Sequence, residues 1–135
     1  LQISISGIGS VDYRRVFDNS EFKTKLRGAS YKDIGRCFQP DMDGKKAAIC
    51  ATVVEFKEKS FEYKEKKKKN FGVLTLQQNT ETIELIVWPE NYETMKSQLI
   101  NAKDHILLMS CMVKWSNFSN QNGLQDYKGS ILEII

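Results

Sequence analysis

Residues 71–100 read FGVLTLQQNTETIELIVWPENYETMKSQLI, and this segment has the clearest secondary-structure pattern of the chain. Apolar and polar residues alternate over 71–77, and residues 82–88 are rich in β-branched and aromatic side chains, so both segments are predicted to be strands. Pro89 ends the second strand, because proline cannot continue a paired strand but suits the first turn of a helix. Three apolar residues then recur at helical spacing: Tyr92, Met95 and Leu99. The stretch therefore predicts two strands followed by one helix.

Further strands are predicted on both sides of this stretch. Residues 47–56 (AAICATVVEF) and 105–115 (HILLMSCMVKW) are apolar and rich in strand-forming residues, and residues 129–135 (GSILEII) form a last short strand. Residues 116–128 between them are rich in Ser, Asn, Gln and Gly and are predicted to be a loop. Three strands, a helix and two strands is the order of the OB fold, a five-stranded, partly open Greek-key barrel. We therefore predict an all-β fold of this class.

Residues 1–44 have a different pattern and are predicted to be a short helical linker before a barrel domain at 45–135. Residues 11–17 and 20–26 each suit a short helix. The turn-forming sequence PDMDG at 40–44 marks the predicted boundary. The chain does not open with Met, so we expect it to be a fragment or a processed product of a longer protein.

Positive charge is concentrated in one segment of the chain. Residues 57–69 contain seven lysines and three glutamates, a net charge of +4, whereas the whole chain carries +3. Because a strand does not easily accommodate so many adjacent like charges, the segment is predicted to be a protruding loop between the first two strands. A concentrated basic patch indicates a polyanionic partner more than a diffuse basic balance does. The alternative is a solvated hairpin tip that only keeps the protein soluble.

The sequence offers no catalytic residues and no cofactor or metal site. The three cysteines, Cys37, Cys50 and Cys111, contain no CxxC pair, and His105 is the only histidine, which argues against zinc. Two of these cysteines lie in apolar runs, where a free thiol acts as a small hydrophobe, and we expect a reducing, cytoplasmic location. No Ser, Cys or carboxylate accompanies His105 in the register of a catalytic triad. No segment approaches the roughly 18 apolar residues of a membrane span, and the N-terminus lacks the features of a signal peptide.

Residues 47–135 resemble the C-terminal OB domain of the bacterial replicative DNA polymerase III alpha subunit. The residues that carry the resemblance are ATVVE at 51–55, FGVLTLQ at 71–77 and IELIVWPENY at 83–92. That family typically has a valine-rich first strand, a basic loop, the motif F-V-T-L-E-D in the second strand and V-F-P-E-x-Y at the start of the helix. Gln77-Gln78 replaces the acidic pair, so the chain resembles a divergent member. The resemblance implies a non-catalytic module that binds single-stranded DNA among other replication proteins. ISGIG at 5–9 resembles the hairpin of the helix-hairpin-helix motif that often precedes this domain.

Candidate binding residues follow from the groove of such a barrel. Alternation along the second strand assigns Gly72, Leu74 and Leu76 to the core and Phe71, Val73, Thr75 and Gln77 to the groove side. Lysines of the basic loop beside the groove would neutralise phosphates, and aromatic rings around the groove would stack on bases. Trp88 is expected to pack under the helix, and the polar loop with the rings around it would form the second wall of the groove. The predicted binding residues are Lys57, Lys59, Phe61, Tyr63, Lys64, Lys66, Lys67, Lys68, Lys69, Phe71, Thr75, Trp115, Phe118 and Tyr127.

The expected activity is binding of single-stranded DNA with little preference for sequence, because lysine contacts and stacking tolerate every base. Two alternatives remain open on the sequence alone. One is an anticodon-type RNA-binding barrel of a tRNA enzyme, which would need base-specific polar contacts. The other is a protein-interaction module of a replication complex, in which the lysines only provide solubility.

Overall fold

The computed structural model describes residues 11–26, 28–62 and 68–135. Within them the strands are β1 (Lys46–Glu62), β2 (Lys68–Gln78), β3 (Glu81–Val87), β4 (Ile106–Ser116), β5 (Gln121–Gln125) and β6 (Leu132–Ile134). The helices are α1 (Tyr13–Asp18), α2 (Ile34–Cys37) and α3 (Pro89–Leu99). The strands form one sheet in the order β1-β2-β3-β5-β4-β6, and pairing of β1 with β4 closes it into a barrel. The predicted all-β barrel of OB type, with a helix between the third and fourth strands, is confirmed.

The strand that completes the barrel lies in the segment predicted to be a loop. β5 pairs in parallel with β3, with Leu85 opposite Leu124, and antiparallel with β4, with Trp115 opposite Asn122. The loop predicted over 116–128 was wrong at 121–125, because QNGLQ lacks the β-branched and aromatic residues typical of strands, so pairing on both sides decides its conformation. The last predicted strand shortens to β6, which pairs with β4 at the edge of the sheet instead of closing the barrel.

Much of the lysine-rich segment is strand, not the predicted loop. Residues 59–62 of β1 pair with residues 68–71 of β2 beyond the rest of the sheet, and we call this hairpin, with the pair Glu58–Gly72 at its base, the arm. The loop prediction was wrong because other contacts compensate for the like charges. Glu62 lies opposite Lys68, and the Phe61 ring contacts the Phe71 ring. Cross-strand pairs of these kinds each contribute about 0.2–1 kcal/mol.

The barrel core contains the residues assigned to it by alternation. Leu74 and Leu76 of β2 are fully buried, as are Leu85 and Val87 of β3. The predicted helix closes one end of the barrel with three buried side chains: Tyr92, Met95 and Leu99. A Cβ atom on Gly72 would lie 3.0 Å from Cε1 of Tyr92, so the glycine permits the close approach of α3 to β2.

The first part of the N-terminal segment packs on the outside of the barrel, against β1 and β4, whereas Ile34, Cys37 and Met42 pack into the barrel core. The Asp12 carboxylate caps α1 by accepting a hydrogen bond from the backbone N–H of Arg15, so the predicted first helix is confirmed. The predicted second helix is a 3-10 turn over Glu21–Lys25, because the Ser20 hydroxyl donates to the Phe17 carbonyl and does not cap a new helix. The buried contact between this segment and the two strands is formed by Tyr13, Phe17, Phe22, Ala48, Cys50 and Leu108.

A buried glutamine ties this segment to the barrel. The Gln78 side chain is 5% exposed, and its Oε1 accepts a hydrogen bond of 2.8 Å from the backbone N–H of Ile34. Its Nε2 donates to the Cys50 carbonyl at 2.7 Å. One side chain therefore satisfies a backbone donor at the first residue of α2 and a backbone acceptor in β1.

All three cysteines are free and buried, which confirms the predicted role of Cys50 and Cys111 as small hydrophobes. Burial raises the pKa of the Cys37 thiol to about 11 and that of the Cys50 thiol to about 12. In the part of the chain that the structure describes, no helix is long and apolar enough to cross a membrane. The hairpin predicted at 5–9 lies outside the described residues.

Candidate nucleic-acid interface

The arm separates its side chains into two faces of different charge. Residues along a strand alternate between faces, and residues opposite each other in an antiparallel pair share a face. Lys57 lies opposite Val73, Lys59 opposite Phe71, and Phe61 opposite Lys69. These residues therefore lie on one side, which continues into the groove side of β2. We call this side of β1 and β2 the cationic face.

The opposite face of the arm, its back face, is fixed to α3 through a carboxylate. Glu58 accepts a hydrogen bond of 2.9 Å from the Tyr92 hydroxyl and lies 3.0 Å from Nζ of Lys96. These two donors, first Lys96 and then Tyr92, hold the pKa of Glu58 below its usual range. Burial and the bond to Glu58 raise the pKa of Tyr92 to about 12. Glu62 lies on the same face opposite Lys68, so both described arm glutamates project away from the cationic face.

Three aromatic rings form a cluster where the arm meets the barrel. The Phe71 and Trp88 rings are stacked, with 5.3 Å between centroids and 30° between planes. The Phe61 ring lies 5.6 Å from Phe71 and 6.5 Å from Trp88, edge-on to the indole. The indole Nε1–H donates to Oε1 of Gln125 at 3.1 Å, which holds the ring in place. Trp88 is 38% exposed, so the cluster presents aromatic surface to solvent.

A groove of about 520 Å³ begins at Gln125, beside this cluster, and crosses the sheet. Its floor is formed by Thr75, Ile86, Gly123 and Gln125. Trp115 and Phe118 lie at the β4–β5 turn on its other wall, and both rings are exposed. The Trp115 indole donates to Oδ1 of Asn117 at 3.0 Å, so this ring is also held in place. The groove is therefore bordered by aromatic rings at both ends.

Two carboxylates moderate the positive charge of this surface. Glu55 lies opposite Thr75 and forms an ion pair of 3.2 Å with Lys57. Glu84, also opposite Thr75, lines the groove, as does Lys114 on the other wall. Among the described residues of this surface, Lys59 and Lys69 of the arm lie beyond both carboxylates.

The structure brings together most of the predicted binding residues that it describes. On the cationic face and around the groove lie Lys57, Lys59, Phe61, Lys69, Phe71, Thr75, Trp115 and Phe118. Lys68 differs, because its register with Glu62 puts it on the back face. Tyr127 lies between the predicted fourth and last strands, as expected, but it lines the pocket beside Phe61 and Trp88 and not the groove, and Nζ of Lys46 lies 4.6 Å from its ring centre. The remaining predicted residues, Tyr63, Lys64, Lys66 and Lys67, lie outside the described residues.

Two residues of this surface, Trp88 and Gln125, were not among the predicted binding residues. Trp88 was expected to pack under α3, which is wrong, because its ring lies in the exposed aromatic cluster. The signal was available: Glu84 and Ile86 face outward, and the same alternation assigns Trp88 to the groove side. Gln125 had no such signal, since its strand was not predicted.

The described residues offer no metal centre. Among them, no group of three or more His, Cys, Asp or Glu side chains could hold a metal ion. Nδ1 of His105 lies 3.1 Å from the Ile135 carbonyl oxygen, a contact that links the start of β4 to the last residue.

No protein-family model and no curated protein sequence match the chain, whereas solved structures of OB domains do. The second OB-fold domain of replication protein A from Methanococcus maripaludis is 24% identical with a TM-score of 0.55, over 78% of this chain and 94% of that one. DNA-binding domain A of replication protein A from S. cerevisiae is 12% identical with a TM-score of 0.56, over 79% and 95%. Asparaginyl-tRNA synthetase from Pyrococcus horikoshii is 16% identical with a TM-score of 0.55, over 78% of this chain and 23% of that one. At these identities the likeness establishes the fold, and the chain is an OB-fold barrel.

Proposed function

We propose that this barrel binds single-stranded nucleic acid along the cationic face and the groove, without a catalytic site of its own. The observation that carries the proposal is the division of the arm. Lys59 and Phe61 share one face with Lys69 and Phe71, whereas Glu58 and Glu62 project from the other. A segment whose charge served only for solubility would have no need to place lysines and aromatic rings together.

Two interactions would hold the strand. The ammonium groups of Lys57, Lys59 and Lys69 would neutralise phosphates and release counterions, which makes the affinity depend on salt. Bases would stack on the exposed rings of Trp88 and, across the groove, of Trp115, and stacking contributes about 1–3 kcal/mol per base. Only unpaired bases expose their faces to such rings, so the arrangement favours a single strand over a duplex.

The groove supports binding with little preference for sequence. Ion contacts with phosphates carry no sequence information. Stacking accepts every base, because all four have an aromatic face. The Glu84 carboxylate on the groove side would repel a phosphate, so the backbone is expected to follow the arm and the bases the floor at Thr75 and Gly123.

The finer proposal is that the strand is DNA and that the module belongs to a replicative polymerase of the polymerase III alpha type. Its support is the sequence resemblance, which covers β1, β2, β3 and α3. A replication protein A heterotrimer bound to single-stranded DNA is also among the structures with this fold, at 14% identity and a TM-score of 0.57 over 72% of this chain and 23% of that one. RNA binding, the alternative, is an outcome of the experiment below.

The experiment is a fluorescence titration of the chain with oligo-dT. A strand that stacks on Trp88 or Trp115 should quench their emission, and the affinity should fall as salt rises, with a slope of about −0.7 per phosphate contact for a single strand. Parallel titrations use oligo-U and a DNA duplex of the same length. Tighter binding of oligo-dT than of oligo-U supports DNA as the ligand, and the reverse order supports RNA. No quenching and no binding at low salt would contradict the proposed function.

A further inference from the structure

A basic pocket, separate from the groove, lies on the far side of the turn that follows β5. Its volume is about 370 Å³, and its lining includes three lysines: Lys25, Lys46 and Lys128. No carboxylate of the described part of the chain lines it. Three ammonium groups around one concavity without an acidic neighbour create a local positive potential that attracts an anion.

This pocket is continuous with the proposed interface. Tyr127 and Lys128 line it, and both also line a neighbouring pocket beside Phe61 and Trp88. Trp88 in turn is hydrogen-bonded to Gln125 on the floor of the groove. The groove, the aromatic cluster and the basic pocket therefore follow one another on the surface of the barrel.

The turn that joins the two pockets is held at both ends. The Asp126 carboxylate accepts hydrogen bonds from the backbone N–H of Trp88 at 3.0 Å and from Nδ2 of Asn91 at 2.7 Å. At the other end, the backbone N–H of Ile131 donates to Oγ of Ser110 at 2.9 Å. These bonds fix Tyr127 and Lys128 between the pockets, and they engage the Asp126 carboxylate with donors.

Lys46 reaches the same turn from the first residue of β1. Its Nζ lies 4.6 Å from the centre of the Tyr127 ring, a cation–π contact that holds the ammonium group at the edge of the pocket. Glu90 is the carboxylate that, with Asp126, lines the pocket on the Trp88 side. The pocket on the Trp88 side therefore combines carboxylates with lysines, whereas the basic pocket is lined by lysines without a described carboxylate.

We infer that a bound strand continues past the aromatic cluster, over Tyr127, into the basic pocket, where Lys46, Lys128 and Lys25 contact its phosphates. The inference rests on the proposed function and adds a second electrostatic subsite to it. Lys25 belongs to the N-terminal segment, so that segment would contribute to binding as well as to packing.

The experiment compares two lengths of oligo-dT, since OB folds contact about 4–16 nucleotides. A short strand of about 5 nucleotides can fill the groove, and one of about 14 can also reach the basic pocket. The double variant Lys46→Gln/Lys128→Gln is measured against a matched double variant, Lys32→Gln/Lys103→Gln, whose lysines line none of the three concavities.

We expect the long strand to bind the Lys46→Gln/Lys128→Gln variant about tenfold more weakly than the wild type at low salt, with a salt slope smaller by about 1.4 for two lost phosphate contacts. Its affinity for the short strand and the affinities of the matched variant should stay unchanged. Equal losses for both lengths, or no loss for the long strand, would overturn the inference while the proposed function stands. If the wild type binds neither length, the result contradicts the proposed function itself.

Discussion

The indole ring of Trp88 stacks on the ring of Phe71, 5.3 Å away, at the point where the arm leaves the barrel. Phe71 belongs to β2 and Trp88 directly follows β3, and the Trp88 indole is fixed from the side by Gln125. A ring that is packed on one face and hydrogen-bonded at its edge loses little further freedom when a base stacks on it. The pair is therefore a prepared platform for an unpaired base.

Replacement of the indole should weaken binding. Trp88→Ala is expected to reduce the affinity for oligo-dT about tenfold or more, because one stacked base contributes about 1–3 kcal/mol. Trp88→Phe keeps a ring and should lose much less. Anisotropy of a labelled oligonucleotide measures both. Ile100→Ala, which removes an exposed apolar side chain distant from the groove, is the control, and an equal loss in this variant would argue against stacking.

The buried side-chain amide of Gln78 should contribute to the stability of the fold, whereas that of Gln77 should contribute little. Gln78→Ala leaves the Ile34 N–H and the Cys50 carbonyl without their partner, and each unsatisfied buried group costs about 1–3 kcal/mol. We expect a loss of about 2 kcal/mol or more in the free energy of unfolding, measured with urea. Gln77→Ala, on the other face of β2, should change it by less than about 0.5 kcal/mol. Similar losses in both variants would contradict this role.

The contact between Glu58 and α3 predicts a pH dependence. The pKa of Glu58 is lower in the folded chain than in the unfolded chain, because Lys96 and Tyr92 stabilise the carboxylate. Its contribution to stability is therefore present above the unfolded pKa of about 4.3 and disappears as the pH falls through the folded pKa. Glu58→Gln should be less stable than the wild type at pH 7, and the difference should shrink towards pH 3.

Urea unfolding of both proteins across this pH range measures the difference directly. The other carboxylates are common to the two proteins and cancel in the comparison. A difference that stays constant from neutral to acidic pH would show that the ionised Glu58 does not hold the arm against α3.

The barrel could be predicted from sequence where side-chain periodicity and tertiary burial agree. β2, β3 and α3 combine clear alternation or helical spacing with buried apolar residues, so their bounds differ from the prediction by a few residues at most. β5 could not be predicted, because its conformation depends on pairing with β3 and β4 while QNGLQ itself has weak strand propensity. The arm was predicted as a loop for a related reason. Its strand structure depends on cross-strand contacts that a count of like charges does not show.

The candidate site also has a part that could be predicted from the sequence and a part that could not. The alternation of β2 placed Phe71 and Thr75 on the groove side, and the structure agrees. The distribution of charge over the two faces of the arm could not be predicted, because a loop has no alternation. The position of Tyr127 beside the aromatic cluster could not be predicted, since the turn that carries it is fixed by bonds to Trp88 and Asn91 from distant parts of the chain.

Binding of a strand at the cationic face is tested directly by a comparison of two lysines of the same arm. Lys59 lies on the cationic face opposite Phe71, and Lys68 lies on the back face opposite Glu62. Lys59→Gln and Lys68→Gln remove the same charge from the same hairpin. The oligo-dT affinity and salt slope of each variant therefore show whether a lysine on the cationic face contributes more to binding than one on the back face. We expect a severalfold weaker affinity and a slope smaller by about 0.7 for Lys59→Gln, with little change for Lys68→Gln. Equal effects of the two substitutions, or a larger effect of Lys68→Gln, would contradict binding at the cationic face.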